Sequence, residues 1–219
     1  MTAPERLESG QLFLLATRSA GKLRELREML TPRGMRVIDL TEAGVAETPE
    51  EEGIEIFETF EENAIAKADY FFARTGLPTF ADDSGLSVLA LGGAPGVRSK
   101  RWSGRADLPG EALDAANNMK LVHAIATLPA GTISSAEYVC AAAYRDAGRR
   151  LVTRGTTEGT MLVTPRGHDG FGYDPYFLSR ELGRTFGEAR PAEKHAISHR
   201  GRAFRALLAE LQNEEPPPF

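Results

Sequence analysis

The sequence predicts an α/β protein, and three observations carry that prediction. A short apolar run, a helix-period segment and a second apolar run follow one another near the start, the pattern of a strand, helix, strand unit with a right-handed crossover. Later, two long β-type arms flank the turn sequence "DAGR", as an antiparallel addition to the same sheet. Hydrophobic content of 42% and charged content of 26% over 219 residues match a globular protein with a sizeable core, and no composition break acts as a linker. We expect a loose segment over residues 1–10, one bilobed domain over 11–212 and a loose tail over 213–219.

The elements follow in order. "LFLLAT" is short and apolar enough for a buried parallel strand, and it breaks at "RSAG". "KLRELREML" puts Leu23, Leu26 and Leu30 on one helical face, and "TPRG" stops it. "MRVIDL" reads as the second strand. A longer helix spans "FETFEENAIAKADYFFARTG", with Phe60, Ala64, Ala68 and Phe71 on one face and Gly76 as its cap. Then come strand "LPTFAD", a turn at Ser84-Gly85, a second short strand "LSVLAL", a glycine-rich loop and helix "GEALDAANNMKLVHAIATL". After the hairpin, "TPRGHDGFGYDPYF" reads as a loop, and a final amphipathic helix runs from about Ser198 to Leu211.

Charge narrows the function classes. A net charge of −5 argues against sequence-independent nucleic-acid binding and favours an anionic small molecule as partner. The one cysteine, Cys140, lies in the apolar run "YVCAAAY", which excludes an internal disulfide and fits a reducing compartment. The start lacks the features of a signal peptide, and no apolar run reaches the roughly 18 residues that would span a bilayer. The expected location is the cytoplasm, with no membrane partner.

Several stretches carry chemistry. "ATRSAGKLREL" turns from a buried strand into a helix through small residues; the exposed N–H groups and the helix dipole attract phosphate, and Lys22 adds a positive charge. It lacks the longer glycine loop of the P-loop motif, and an ordinary structural turn reads equally well. Asn63 and Lys67 stand four apart on one helix face. Upstream, "ETPEEEG" supplies acids, one of which could reach a metal. In "ADDSG", neighbouring strand residues face opposite ways, so Asp83 beside the turn is preferred over Asp82 for a pocket. A carboxylate buried there needs a cation or a helix N-terminus, and magnesium is the natural partner because it takes oxygen ligands from one or two carboxylates plus phosphate. Lys100 and Arg101 in "GVRSKRWSG" read as solvated surface. "GFGYDPYF" can lay an aromatic ring on a planar base, or serve as satellite core. Lys194, His199 and Arg200 form a donor cluster at the start of the last helix. His195 and His199 have a metal-ligand spacing, but no third soft ligand supports zinc.

Five blocks in this order, "LATRSAGKLREL", "FEENAIAKA", "FADDSGLSVLALGGAPGVRSKRWSG", "FGYDPYF" and "EKHAISHRGRA", resemble the inosine triphosphate pyrophosphatase family over nearly the whole chain. The resemblance implies an elongated α/β fold with a long twisted mixed sheet flanked by helices, two lobes with a central cleft, and a homodimer. It implies magnesium-dependent hydrolysis of ITP, dITP and XTP to the monophosphate and pyrophosphate, which cleanses the nucleotide pool of deaminated purines. Carried over, Thr17, Arg18, Ser19, Ala20, Gly21 and Lys22 would hold the triphosphate, Lys22 as its main countercharge, with Asn63 and Lys67 beside it. Asp83 would be metal ligand and proton acceptor, and Ser84 would contact substrate. Phe171, Gly172, Tyr173 and Asp174 would enclose the base with Lys194, His199 and Arg200, the last two as donors to its six-position oxygen. Two departures stand out. Ser19 replaces the usual asparagine, and the acidic segment is longer than usual, with Glu51 preferred over Glu50 and Glu52 as second metal carboxylate.

Other classes fit less well. A catalytically silent purine nucleotide sensor is the alternative, and Ser19 is the feature that leans towards it. An aspartyl-phosphate phosphatase would place two aspartates one residue apart before a threonine, which "DDSG" does not.

Overall fold

A computed structural model of the chain describes residues 10–105 and 107–213. The expected loose ends therefore lie outside the described residues, except for Gly10 and Asn213.

The first unit of the fold is the one expected from the apolar spacing. Strand β1 (Leu12–Leu15) pairs in parallel with β2 (Arg36–Asp39), Leu12 opposite Arg36 and Leu15 opposite Asp39. Helix α1 (Ala20–Leu30) makes the crossover; it buries Leu26, Met29 and Leu30, and Gly34 at φ 78° ends the short 3-10 turn that follows it. Helix α2 (Phe60–Thr75) starts three residues later than the apolar pattern, because Thr59 caps it: its hydroxyl accepts the Glu62 N–H at 3.2 Å and donates to the Glu62 carboxylate at 2.6 Å. Gly76, at φ 69°, closes the far end.

Strand β3 corrects the expected break. Thr79–Val88 is one strand of ten residues, running through Asp82, Asp83, Ser84 and Gly85 without a turn. Serine and glycine weaken an isolated strand, but β3 lies between β1 and β4 in the sheet, and ladder bonds on both sides outweigh that local preference. The expected second strand then survives only to Val88, with Leu89–Leu91 in a 3-10 turn. Another 3-10 turn (Gly96–Arg101) precedes helix α3 (Gly110–Ala126).

The hairpin is β4 (Ser135–Arg145) and β5 (Arg150–Met161), closed where the Asp146 N–H donates to the Arg149 carbonyl at 3.0 Å. Two further elements lie between the expected loop and the expected last helix. Strand β6 (Phe177–Ser179) pairs antiparallel with β5, Met161 opposite Phe177, and a short helix α4 (Pro191–Ile197) precedes α5 (His199–Asn213). Ser198, at ψ 151°, separates the two helices, so His195 and His199 do not share one helix face. The six strands are ordered β2-β1-β3-β4-β5-β6, a mixed sheet in an α/β fold.

The chain divides into two compact units. The first holds the described residues up to Asp83, Cys140–Gly155 and the described residues from Arg200 onward; its core centres on Phe80, whose ring lies 5.4 Å from Phe13, 5.0 Å from Tyr144 and 6.1 Å from Phe204. The second holds Ser84–Val139 and Thr156–His199, with Leu86, Leu121, Tyr138, Phe177 and Phe186 in its core. Among the described residues, no helix is long and apolar enough to cross a membrane.

Candidate active site

In the first unit, the turn from β1 into α1 carries Thr17 to Lys22. Thr17 is buried and accepts the Ser19 N–H at 3.2 Å; Ser19 caps α1 by accepting the Lys22 N–H at 3.4 Å. Ala20 is exposed and Gly21 half-buried at the helix start. Arg18 turns aside: its guanidinium grips Glu51 through Nη2 at 2.7 Å and Nε at 3.2 Å, and donates to the Val45 carbonyl at 3.0 Å. Glu51, the expected second metal carboxylate, thus has both oxygens in a bidentate arginine pair.

The acid that does share the surroundings of Asp83 is Glu55, which pairs with Lys67 and raises the Asp83 carboxyl by its charge. Burial is the larger cause of that rise. Lys22, Lys67 and the Asn63 amide, which donates to Asp83 Oδ2 at 3.0 Å, pull the other way without cancelling it. Asn63 also accepts the Phe57 N–H at 3.0 Å and donates to its carbonyl at 3.2 Å, which ties the loop carrying Glu55 to α2.

Asp82 plays a different part. Its side chain is fully buried, with Lys22 Nζ at 3.1 Å, Arg200 Nε at 3.1 Å and the Cys140 thiol at 3.8 Å from Oδ2. Burial opposes its charge, yet Lys22, Arg200 and Lys67 hold the carboxyl well below the usual range. Lys22 stays protonated for the reciprocal reason: burial would lower its pKa, and Asp82 more than restores it. Arg200 also pairs with buried Glu25 from α1. Of the donors expected around a base, Arg200 is 2% exposed, and its guanidinium pairs with two buried acids. Cys140 is the core residue its apolar run implied, its thiol pushed up by burial.

In the second unit, Ser84 is half-buried on β3. Asp174 organises the "GFGYD" loop: its Oδ2 accepts the Phe171 N–H at 2.8 Å and lies 2.5 Å from Lys194 Nζ, while its Oδ1 accepts the Tyr138 hydroxyl at 3.3 Å. Gly170 is required here, since a Cβ on it would fall 2.1 Å from Asp174 Oδ2 at a φ of +80°. Lys194 Nζ sits 5.0 Å from the Phe171 ring centroid, a cation–π contact, and half-buried Phe171 keeps part of its surface accessible. The His199 ring stacks on Tyr138 at 4.5 Å and 6°. The Tyr173 hydroxyl donates to the Ser99 carbonyl at 2.7 Å, and Asp114 and Asn118 of α3 hold the Gly172 peptide.

The structure thus gathers Lys22, Asn63, Lys67 and Asp83 in one unit and Phe171, Asp174, Lys194 and His199 in the other. Sequence reasoning set Asp82 aside in favour of Asp83 and missed Glu25, Glu55, Tyr138, Asp114 and Asn118. Only Glu25 carried a signal, standing three residues after Lys22 on a helix that otherwise buries leucines.

Known proteins share this arrangement of elements. The Ham1 family model matches residues 13–210. The dITP/XTP pyrophosphatase of Thermus thermophilus is 44% identical over 211 residues, 95% of each chain, and that of Frankia alni is 48% identical over 200 residues, 91% of this chain and 96% of that protein. Among solved structures, the HAM1 protein of Coxiella burnetii superposes with a TM-score of 0.77 at 37% identity, covering 93% of this chain and all of that one. The Staphylococcus aureus Ham1 protein superposes with a TM-score of 0.76 at 31% identity, covering 94% and 100%. By these matches over nearly its whole length, the chain belongs to the Ham1 family.

Proposed function

We propose that this chain is a nucleoside-triphosphate pyrophosphatase that hydrolyses ITP, dITP and XTP to the monophosphate and pyrophosphate. The observation that carries the reading is the arrangement around Asp83: a buried carboxyl raised in pKa, with two lysines converging beside it. The similarity to the Thermus and Frankia dITP/XTP pyrophosphatases supports the same reading.

Lys22 and Lys67 would bind the polyphosphate and stabilise the charge that grows on it as the α–β bond breaks. Asp83 is the group suited to accept a proton from the attacking water, since burial raises its basicity. Ser19 does not point to a silent site, because its hydroxyl caps α1 as an asparagine side chain would.

The donor set fits magnesium. Asp83 and Glu55 offer hard carboxylate oxygens, and the rise at Asp83 means that protein cations leave its charge incompletely compensated. The described residues hold no cluster of three or more His, Cys, Asp or Glu, and a magnesium shared with phosphate needs none. When bound, the ion would neutralise phosphate charge and polarise the reacting phosphoryl group.

For the base, Lys194 beside the Phe171 ring is the donor we assign to the six-position oxygen. Adenine presents an amino group there and would meet it donor to donor, a mismatch that can reject an analogue by roughly 10⁴–10⁵. We place the enzyme in the cytoplasm, as the single buried cysteine supports, and expect a homodimer, which light scattering would test.

Incubation with ITP, XTP, ATP and GTP, with and without magnesium, followed by separate assays of pyrophosphate and orthophosphate, tests the reading. Magnesium-dependent pyrophosphate from ITP and XTP is expected; orthophosphate alone would exclude attack at the α-phosphorus.

A further inference from the structure

We infer that Asp114 and Asn118, four residues apart on α3, are positioning residues for base recognition: together they clamp the Gly172 peptide and thereby fix the Phe171 ring. The Gly172 N–H donates to Asp114 Oδ2 at 3.0 Å, and Asn118 Nδ2 donates to the Gly172 carbonyl at 2.9 Å. Side chains four apart project from one helix face, so a single face holds both polar groups of one loop residue.

The loop needs such a clamp. Gly170 and Gly172 flank Phe171, both at positive φ, and glycine loses the most conformational freedom on ordering. Residues 163–169 before them are all exposed, and their main-chain bonds run to Pro175 and Gly187, from the Arg166 N–H at 2.8 Å and the Asp169 N–H at 3.0 Å. Phe171 is therefore fixed from two directions: its own N–H is held by Asp174, and the peptide after it is held by α3. Tyr173 continues the anchoring through its hydroxyl bond to Ser99.

The inference rests on the proposed function, in which the Phe171 ring faces the base. Asp114 and Asn118 would act through Gly172 and touch neither substrate nor phosphate. Release of the clamp lets the ring sample other orientations, which weakens binding of the base in ground and transition state alike. That signature is a raised KM at nearly constant kcat.

The test uses the full chain with Asp114→Ala, Asn118→Ala and Asp114→Asn, assayed for pyrophosphate release from ITP beside the wild type. Both residues are half-buried and alanine favours a helix, so folded variants are expected, as melting curves will check. Each alanine variant should raise KM for ITP about tenfold with kcat within about twofold, the scale of one lost charge-assisted or buried hydrogen bond. Asp114→Asn keeps an acceptor oxygen and should return KM to within about threefold of wild type. Inhibition by inorganic pyrophosphate, which carries no base, should not move in any variant. An unchanged KM in both alanine variants overturns the clamp, and so does a matching loss of pyrophosphate inhibition, which would mark general damage. Should Asp114→Ala fail to fold, Asn118→Ala decides alone. If the wild type itself releases no pyrophosphate from ITP, the functional reading falls and the clamp with it; if only the variants behave like wild type, the clamp alone falls.

Discussion

Lys22 and Lys67 converge on one acceptor, the main-chain oxygen of Asp82, which lies 3.3 Å from Lys22 Nζ and 2.9 Å from Lys67 Nζ. The two lysines come from different helices, α1 and α2. Held to one oxygen, their charges repel by about 3 kcal/mol at ~5 Å separation and an effective dielectric of ~20. The Asp82 carboxylate beside Lys22 and the Glu55 carboxylate beside Lys67 offset that repulsion. A polyphosphate arriving here would meet positive charge already gathered and oriented, with no reorganisation left to make during the reaction.

Removing either lysine should therefore cost more than a surface charge would. Lys22→Met and Lys67→Met are each expected to lower kcat/KM for ITP by about 10²–10³. Steady-state pyrophosphate release measures this, and losses under tenfold in both variants would contradict a phosphate role for the pair.

The acids should divide by partner. Asp83→Asn is expected to reduce kcat by about 10³ or more while ITP binding stays within about tenfold, since it removes charge and little volume. Glu55→Gln should raise the magnesium concentration needed for half-maximal activity, whereas Glu51→Gln, which only releases Arg18, should leave it near wild type. The reverse ranking in a magnesium titration would return the metal role to Glu51.

What the sequence makes legible, and what it hides, has a physical pattern. β1, α1, β2 and α2 are visible because apolar residues repeat at the period of each element and the caps Ser19 and Gly76 are local. The continuity of β3 is not visible, because Ser84 and Gly85 look like a turn and only the neighbouring strands decide otherwise. β6 has three residues, too few for any period. In the site, Lys22, Asn63, Lys67 and Asp83 stand out by residue type beside buried elements. The partner of Asp82 does not, because Arg200 lies 118 positions away, and no spacing rule spans that separation.

The two aspartates should respond to pH with opposite signs. Asp83 is raised by burial, so activity should fall on an acid limb above the usual Asp value of about 3.9. Asn63→Ala removes a hydrogen bond that favours the charged form and should move that limb to higher pH. Asp82 is depressed in the folded state, so its contribution to stability is fully present above the unfolded value of about 3.9 and is lost as pH falls through the lower folded value. Asp82→Asn should be less stable than wild type at pH 7 and should show a shallower loss of stability on acidification. An unchanged urea midpoint at pH 7 would deny the carboxylate that role.

Arg200 and Lys194 provide the sharpest separation between holding the fold and reading the base. Arg200 bridges Glu25 and Asp82, both buried, so Arg200→Met removes a countercharge that the two acids share, although Asp82 keeps Lys22, and should destabilise the protein by about 3–5 kcal/mol. Arg200→Lys keeps one charge but not the fork that spans two acids, and should lower stability and kcat while the ratio of kcat/KM for ITP over ATP stays within about threefold. Lys194→Met should do the opposite, lowering that ratio by tenfold or more, since it removes the donor beside Phe171. Were Arg200→Lys instead to collapse the ratio and Lys194→Met to spare it, base recognition would belong to the guanidinium, and its burial against Glu25 and Asp82 would have to be released when nucleotide binds.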